Sequence, residues 1–311
     1  MCISLHFACL CGRPSENETM IKDSLHSKEN PTVAVFYLLR KGNNVLHFAS
    51  FLDSLRRHVT YVRYIPVVIQ KGFPSGFRHP LIGAWTTRDG RRAQCIEVSD
   101  EGYDLLAYRK ASGQFKVDYC LFFNSYCRIL GDLWLDHYIS AAEKCGENCI
   151  IGATGSWQRP TLADAFPNMH IRSNAFLISR KLYLSFDNPL ITKDDSYELE
   201  HGALSMTNIV LDSGGRVAVV DRNGRVLFPD RWPSENIFWR GDQELLLVSD
   251  NRTADYQGTN PRRRRRFSMA AWGEDRCHVV SHSRLKRHAY ALRTKGKMLQ
   301  AYFSLLLSIW K

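Results

Sequence analysis

The chain has 311 residues, 44% of them hydrophobic and 23% charged, which is long and apolar enough for a substantial buried core and excludes a disordered or collagen-like polymer. Its formal charge of +11 and pI near 9.3 point to acidic partners: nucleic acid, a phosphorylated metabolite or an anionic membrane surface. No apolar run reaches the roughly 18 to 20 residues of a membrane-crossing helix, and residues 1–10 lack the basic start of a signal peptide, so the expected location is cytoplasmic or membrane-peripheral.

In chain order, residues 1–30 show no sustained periodicity and read as a poorly ordered leader. The fold is expected to begin at Pro31. A β-branched and aromatic run, TVAVFYLL, ends at Arg40 and is followed by apolar residues at helical spacing (Leu46, Phe48, Phe51, Leu52, Leu55). A second strand over 64–69 ends at Gln70 and Lys71. Residues 96–130 then give strand, helix, strand: the first strand ends at Ser99 and Asp100, Leu105, Leu106 and Tyr108 form an amphipathic segment, and residues 119–123 end at Asn124 and Ser125. A helix over 133–144 and a short strand over 149–153 complete five strands pointing one way. Ligands in such open sheets sit outside the carboxyl ends of the strands, so Asp100, Asp104, Asn124 and Ser125 are expected to share a crevice.

Beyond Trp157 the rhythm changes. Residues 171–184 are apolar with polar interruptions, 198–211 read as helix, 216–220 as strand, 221–224 as an Asn-Gly turn and 243–248 as part of a short helix. The arginines at 262–266 are either a solvated loop or a contact for phosphate or anionic lipid. Residues 298–311 form either a helix docked on its own domain or an interfacial helix acting with the nearby basic residues. The nine cysteines are odd in number and show no C-x-x-C pair, which is the pattern of reduced thiols rather than of zinc or disulfides; the spacing of Cys145 and Cys149 fits a helix-to-strand turn.

The strings VSDEGYDLLAYR, FFNSYCRIL, IGATGSW, HIRSNAFLI, ELEHGALSMT and RGDQELLLVSDNRTADY, in this order between residues 31 and 273, resemble blocks of a bacterial glycosyltransferase-like family related to family 2, with a GT-A-type fold. The resemblance implies an α/β, Rossmann-like, mostly parallel central sheet flanked by helices, with a mixed acceptor-side region. It divides the chain into a leader (1–30), a transferase domain (31–273, with a nucleotide-sugar half at 31–157 and an acceptor half at 158–273) and a basic helical extension (274–311). The implied activity is transfer of a sugar, with inversion, from a nucleotide-sugar donor to a glycan or lipid-linked acceptor, a role in polysaccharide biosynthesis. The alternative is a noncatalytic relative that binds glycan or a partner enzyme.

Such a transferase must neutralise a leaving diphosphate with a divalent cation, with basic side chains or with oriented N–H groups. The Asp-x-Asp that holds Mn2+ or Mg2+ in many GT-A enzymes is absent: Asn124 and Ser125 stand there, which leaves metal dependence open. Arg40 and Lys71 are candidates for the diphosphate. Asp100 and Asp104 resemble positions that contact base or ribose; capping of the following helix and its dipole are the other reading. For the general base the resemblance favours Glu200, then Asp195, with Glu198 in the same cluster. On the acceptor side His170 and Arg172 alternate with Asn174, and Trp157 and Trp239 could stack on sugar rings or simply pack in the core. Nothing resembles a zinc-finger, RRM or KH signature, which disfavours nucleic acid as the partner.

Overall fold

The computed structural model describes residues 31–159, 165–280 and 284–309; the leader expected at 1–30 lies outside them. One eight-stranded sheet organises the rest. Its strands are β1 (Val33–Arg40), β2 (Ile65–Lys71), β3 (Gln94–Val98), β4 (Tyr119–Phe123), then, with β5 (Arg128–Ile129) outside the sheet, β6 (Cys149–Gly152). After the short strands β7 (Gly155–Ser156) and β8 (His170–Ile171), β9 (Ala175–Ser179), β10 (Arg216–Val220) and β11 (Val226–Leu227) complete it. The spatial order is β11-β10-β6-β9-β4-β1-β2-β3, with β9 and β11 antiparallel to their neighbours and the other six strands pointing the same way. β5 pairs with β12 (Val248–Ser249), and β7 with β8.

The sequence of β1 shows why the sheet is central. Val33, Val35, Tyr37 and Leu39 enter one hydrophobic core, while Ala34, Phe36 and Leu38 enter another, so a strand apolar at every position is covered on both faces. The first core is closed by α1 (Val45–Arg57) and α3 (Trp134–Cys145). The second is closed by α2 (Asp104–Ser112) and the segments around Trp232, Trp239 and Trp272. α1 begins where Asn44 accepts from the Leu46 N–H, a cap that fixes the turn out of β1.

The remaining helices are α4 (Arg180–Ser185), α5 (Lys193–His201), α6 (Met206–Asp212), α7 (Asn251–Gly258), α8 (Pro261–Trp272) and α9 (Arg284–Ile309). Three expectations are corrected. The helix expected over 198–211 is two helices: Gly202 leaves the helical backbone at ψ −175°, and Ser205 then caps α6 by accepting from the Asn208 N–H. The helix expected over 243–248 is a turn leading into β12 at Val248, because Gln243 has φ +57° and its amide is tied to the Trp239 N–H and the Thr253 carbonyl. The 262–266 run is helical rather than loop, lying inside α8.

The expected class, a mostly parallel α/β sheet flanked by helices, is the one observed. Its switch point lies at β1: the chain runs outward through β2 and β3, then returns to β4 on the other side of β1. A ligand crevice is therefore expected outside the carboxyl ends of these four strands. The cysteines among the described residues are unpaired thiols, and Cys145 and Cys149 do end α3 and begin β6. Among the described residues no helix is long and apolar enough to cross a membrane.

Candidate functional site

Three adjacent strands each deliver one charged side chain to this crevice. Arg40 ends β1, Lys71 ends β2 and Asp100 follows β3; the register pairs Arg40 with Lys71 and Lys71 with Val98, which brings the three strand ends level. Lys71 Nζ lies 3.2 Å from Asp100 Oδ1 and donates to the carbonyls of Ser99 at 3.2 Å and Glu101 at 2.9 Å. Arg40 Nε reaches the same Asp100 oxygen at 3.3 Å. Asp100 is 61% exposed, whereas the Lys71 side chain is wholly buried, so one face of the ion cluster looks into solvent.

The electrostatics follow from this placement. Burial pushes the Lys71 ammonium below its ordinary pKa, with the Asp100 hydrogen bond working against it. Partial desolvation works upward on Asp100, but the hydrogen bonds from Lys71 and Arg40 hold its carboxyl below the usual range. Gly72 has φ +75° and approaches Asp100 closely: a Cβ there would sit 3.1 Å from the Asp100 Cβ and Cγ.

Asp104 opens α2 as its first helical residue, after Tyr103 at the cap without a side-chain bond, so Asp100 is not the cap. Burial raises the Asp104 carboxyl to about 6; Arg40 and Lys71 pull it down, and Glu200 pushes it up. A carboxyl so displaced, in a crevice and coupled to named charges, marks a candidate site. One turn on, Tyr108 is fully buried, and among the described residues its hydroxyl has no hydrogen-bond partner. Asp104 and Glu200 both push that hydroxyl's pKa up, after burial itself.

Glu200, near the end of α5 in the second half of the chain, couples electrostatically to Asp104. It accepts from the Ser173 N–H at 2.9 Å and faces His201 Nε2 at 3.7 Å. Burial works upward on its carboxyl, but His201, the Ser173 N–H, His170 and Arg172 bring it below its ordinary value, so it stays ionised at neutral pH. Two of the other carboxylates of α5, Asp195 and Glu198, serve the chain locally. Asp195 closes a capping box with Thr192 and also accepts from the Ile191 N–H, and Glu198 accepts from the Leu204 N–H at 3.0 Å.

The remaining expected residues divide by burial. Ser125 is buried and donates to the Leu38 carbonyl at 2.7 Å. The Asn124 side-chain oxygen accepts from the Tyr126 N–H and the Cys127 thiol, closing a turn. These oxygens do not fit a cation site, and among the described residues no group of three or more His, Cys, Asp or Glu could hold a metal ion.

His170 is buried, with Nδ1 2.9 Å from the Asn168 carbonyl; burial and then the neighbouring His201 lower its pKa to about 3, which keeps it neutral. Trp239 is 2% exposed and stacked on both Phe238 and Phe267. Trp157 is half-buried, beneath the Arg276 guanidinium at 4.6 Å and edge-on to Trp272. Arg172 pairs with Asp250 at 2.8 Å, donates to Thr154 Oγ1 at 3.2 Å and covers the Phe238 ring at 4.1 Å. Asp250 carries no sequence signal beyond a helix cap, yet it is the wholly buried counter-charge that fixes Arg172.

No family model matches the chain, and no curated protein matches it. Similar solved structures include GalNAc-T7 with UDP, GalNAc and Mn2+, at 12% identity and a TM-score of 0.43 over 64% of this chain and 42% of that one. A glucose-1-phosphate thymidylyltransferase from Bacillus anthracis, described as putative in its own right, is similar at 10% identity and a TM-score of 0.40, over 60% of this chain and 85% of that one. The galactosyltransferase LgtC with donor and acceptor sugar analogues is similar at 13% identity and a TM-score of 0.38, over 50% and 60% of the two chains. The chain thus spans less than half of the GalNAc-T7 chain it matches.

Proposed function

We propose that this chain is a glycosyltransferase that moves a sugar from a nucleotide-sugar donor to a glycan or lipid-linked acceptor with inversion. The observation that carries the reading is the ion cluster of Arg40, Lys71 and Asp100 at the switch point of the sheet, with Asp104 beside it coupled electrostatically to the carboxylate of Glu200 from the other half of the chain. Displacement of a nucleoside diphosphate requires cations for the leaving group and a base for the incoming hydroxyl.

In this reading Arg40 and Lys71 meet the diphosphate, and Asp100 exchanges part of its ion pairing for the ribose or base. Asp104, from the first turn of α2, borders the same subsite. Glu200 takes the proton of the acceptor hydroxyl as that oxygen bonds to the anomeric carbon. The bond from that carbon to the phosphate oxygen breaks on the opposite face, and the electron pair leaves with the diphosphate. Trp157 and Arg172 border the acceptor side. No step is routed through a metal ion, because Asn124 and Ser125 are committed to the fold.

Calorimetric titration with UDP-, GDP- and dTDP-nucleotides, with and without Mn2+ or Mg2+, tests the donor site, and sugar release from the nucleotide that binds tests the chemistry. Saturable binding lost in Asp100→Ala supports the reading; binding to none of them overturns it. A noncatalytic glycan-binding scaffold is the second reading, favoured by the same commitment of Asn124 and Ser125. It predicts glycan binding with no sugar release.

A further inference from the structure

α9 presents two faces of different fates. Ala301 and Leu305 are buried, and Leu305, with Tyr302 and Leu306 beside it, joins the hydrophobic core that α1 closes. The helix therefore docks on the domain. On another face Leu292, Leu299, Phe303 and Leu307 recur at helical spacing, and they are 72%, 47%, 60% and 67% exposed. A stripe of large apolar side chains left in water along one helix marks a contact surface.

The charge around this stripe says what covers it. Arg293, Lys295 and Lys297 are exposed on the same helix, and the sequence from 276 to 311 contains eight Lys or Arg and no Asp or Glu. Four of the arginines in α8, Arg262, Arg263, Arg265 and Arg266, are also exposed. Arg264 differs: it is buried and donates to the carbonyls of Tyr256, Gln257 and Val280, so it pins α8 to α7 before it and to the segment after it. A protein partner's apolar groove would be indifferent to this uniform sign, whereas an anionic bilayer interface attracts it.

We infer that α9 lies flat on an anionic membrane surface, with Leu292, Leu299, Phe303 and Leu307 among the acyl chains and Arg293, Lys295 and Lys297 at the headgroups. The helix adheres without crossing, in keeping with its interrupted apolar pattern. This inference stands independently of the transferase reading, since no residue of the crevice enters it.

Flotation of the full chain with phosphatidylcholine vesicles, with and without phosphatidylserine, tests it across a salt series. The expected result is association with the phosphatidylserine vesicles that weakens as salt rises. Lys295→Ala with Lys297→Ala should weaken it by tenfold or more, since each cation near an anionic surface contributes about a factor of five. Leu299→Gln with Phe303→Gln should abolish it while thermal unfolding stays unchanged, because both side chains are exposed. Equal association with both vesicle types, or none with either, overturns the proposal. So does a dimer in solution that Phe303→Gln dissociates, which would assign the face to a second copy.

Discussion

Lys71, with no exposed side-chain surface, holds its ammonium 3.2 Å from an Asp100 carboxylate that is 61% exposed. A buried cation is thus paired with an anion that incoming ligand can displace. Lys71→Met should leave Asp100 with Arg40 alone and weaken nucleotide binding by roughly 10- to 100-fold, the worth of a charge-assisted hydrogen bond of about 1.5–3 kcal/mol. Calorimetric titration against the wild type checks this; unchanged affinity would remove Lys71 from the donor site.

Asp104 links the site to pH. Its carboxyl binds its proton more tightly in the folded state, with a pKa of about 6 against an ordinary 3.8. The folded chain therefore holds more protons than the unfolded one between about pH 4 and 6, and this group's contribution is full below that window and falls as pH rises through it. Asp104→Asn should flatten the stability profile there and raise stability at neutral pH by up to about 3 kcal/mol. Urea midpoints at acid and neutral pH measure it.

Glu200→Gln keeps the shape and an acceptor for the Ser173 N–H but cannot take a proton. Transfer should fall by about 100- to 10,000-fold, the usual worth of a positioned general base. Nucleotide affinity should change little. Asp195→Asn, at an exposed capping box, should leave turnover close to wild type.

Removing Asp250 strands Arg172. That pair is buried, with 12% and 0% exposure at its two ends, and Asp250 also caps α7. Asp250→Ala should destabilise the fold by roughly 3–5 kcal/mol. Chemical denaturation gives the value, and a loss below about 1 kcal/mol would show that the guanidinium finds water instead.

The glycine between Asp100 and Asp104 is a further point of control. Gly102 has φ +62°, and a Cβ there would meet Leu106 Cδ2 at 2.5 Å and the Leu190 carbonyl at 2.7 Å. Gly102→Ala should cost about 1–3 kcal/mol and loosen the turn that carries both carboxylates. Loss of nucleotide binding in a chain that still unfolds cooperatively would register that effect.

The sequence by itself determined the strand ends. A run such as VAVFYLL, apolar at every position, belongs in a sheet covered on both faces, and the polar residues that end it lie at the carboxyl end; this placed Arg40, Lys71 and Asp100 at one edge. Local capping and period could not say which polar residues turn inward. Ser125 and His170 are buried because a backbone carbonyl waits beside each, and the Trp239 ring is stacked between Phe238 and Phe267. Glu198 and Glu200 look alike in the chain, yet one answers its own helix end and the other crosses to Ser173. The electrostatic coupling of Asp104 to Glu200 and the burial of Arg172 against Asp250 were decided only by tertiary structure, because charges distant in sequence acquire their pKa values and partners from packing.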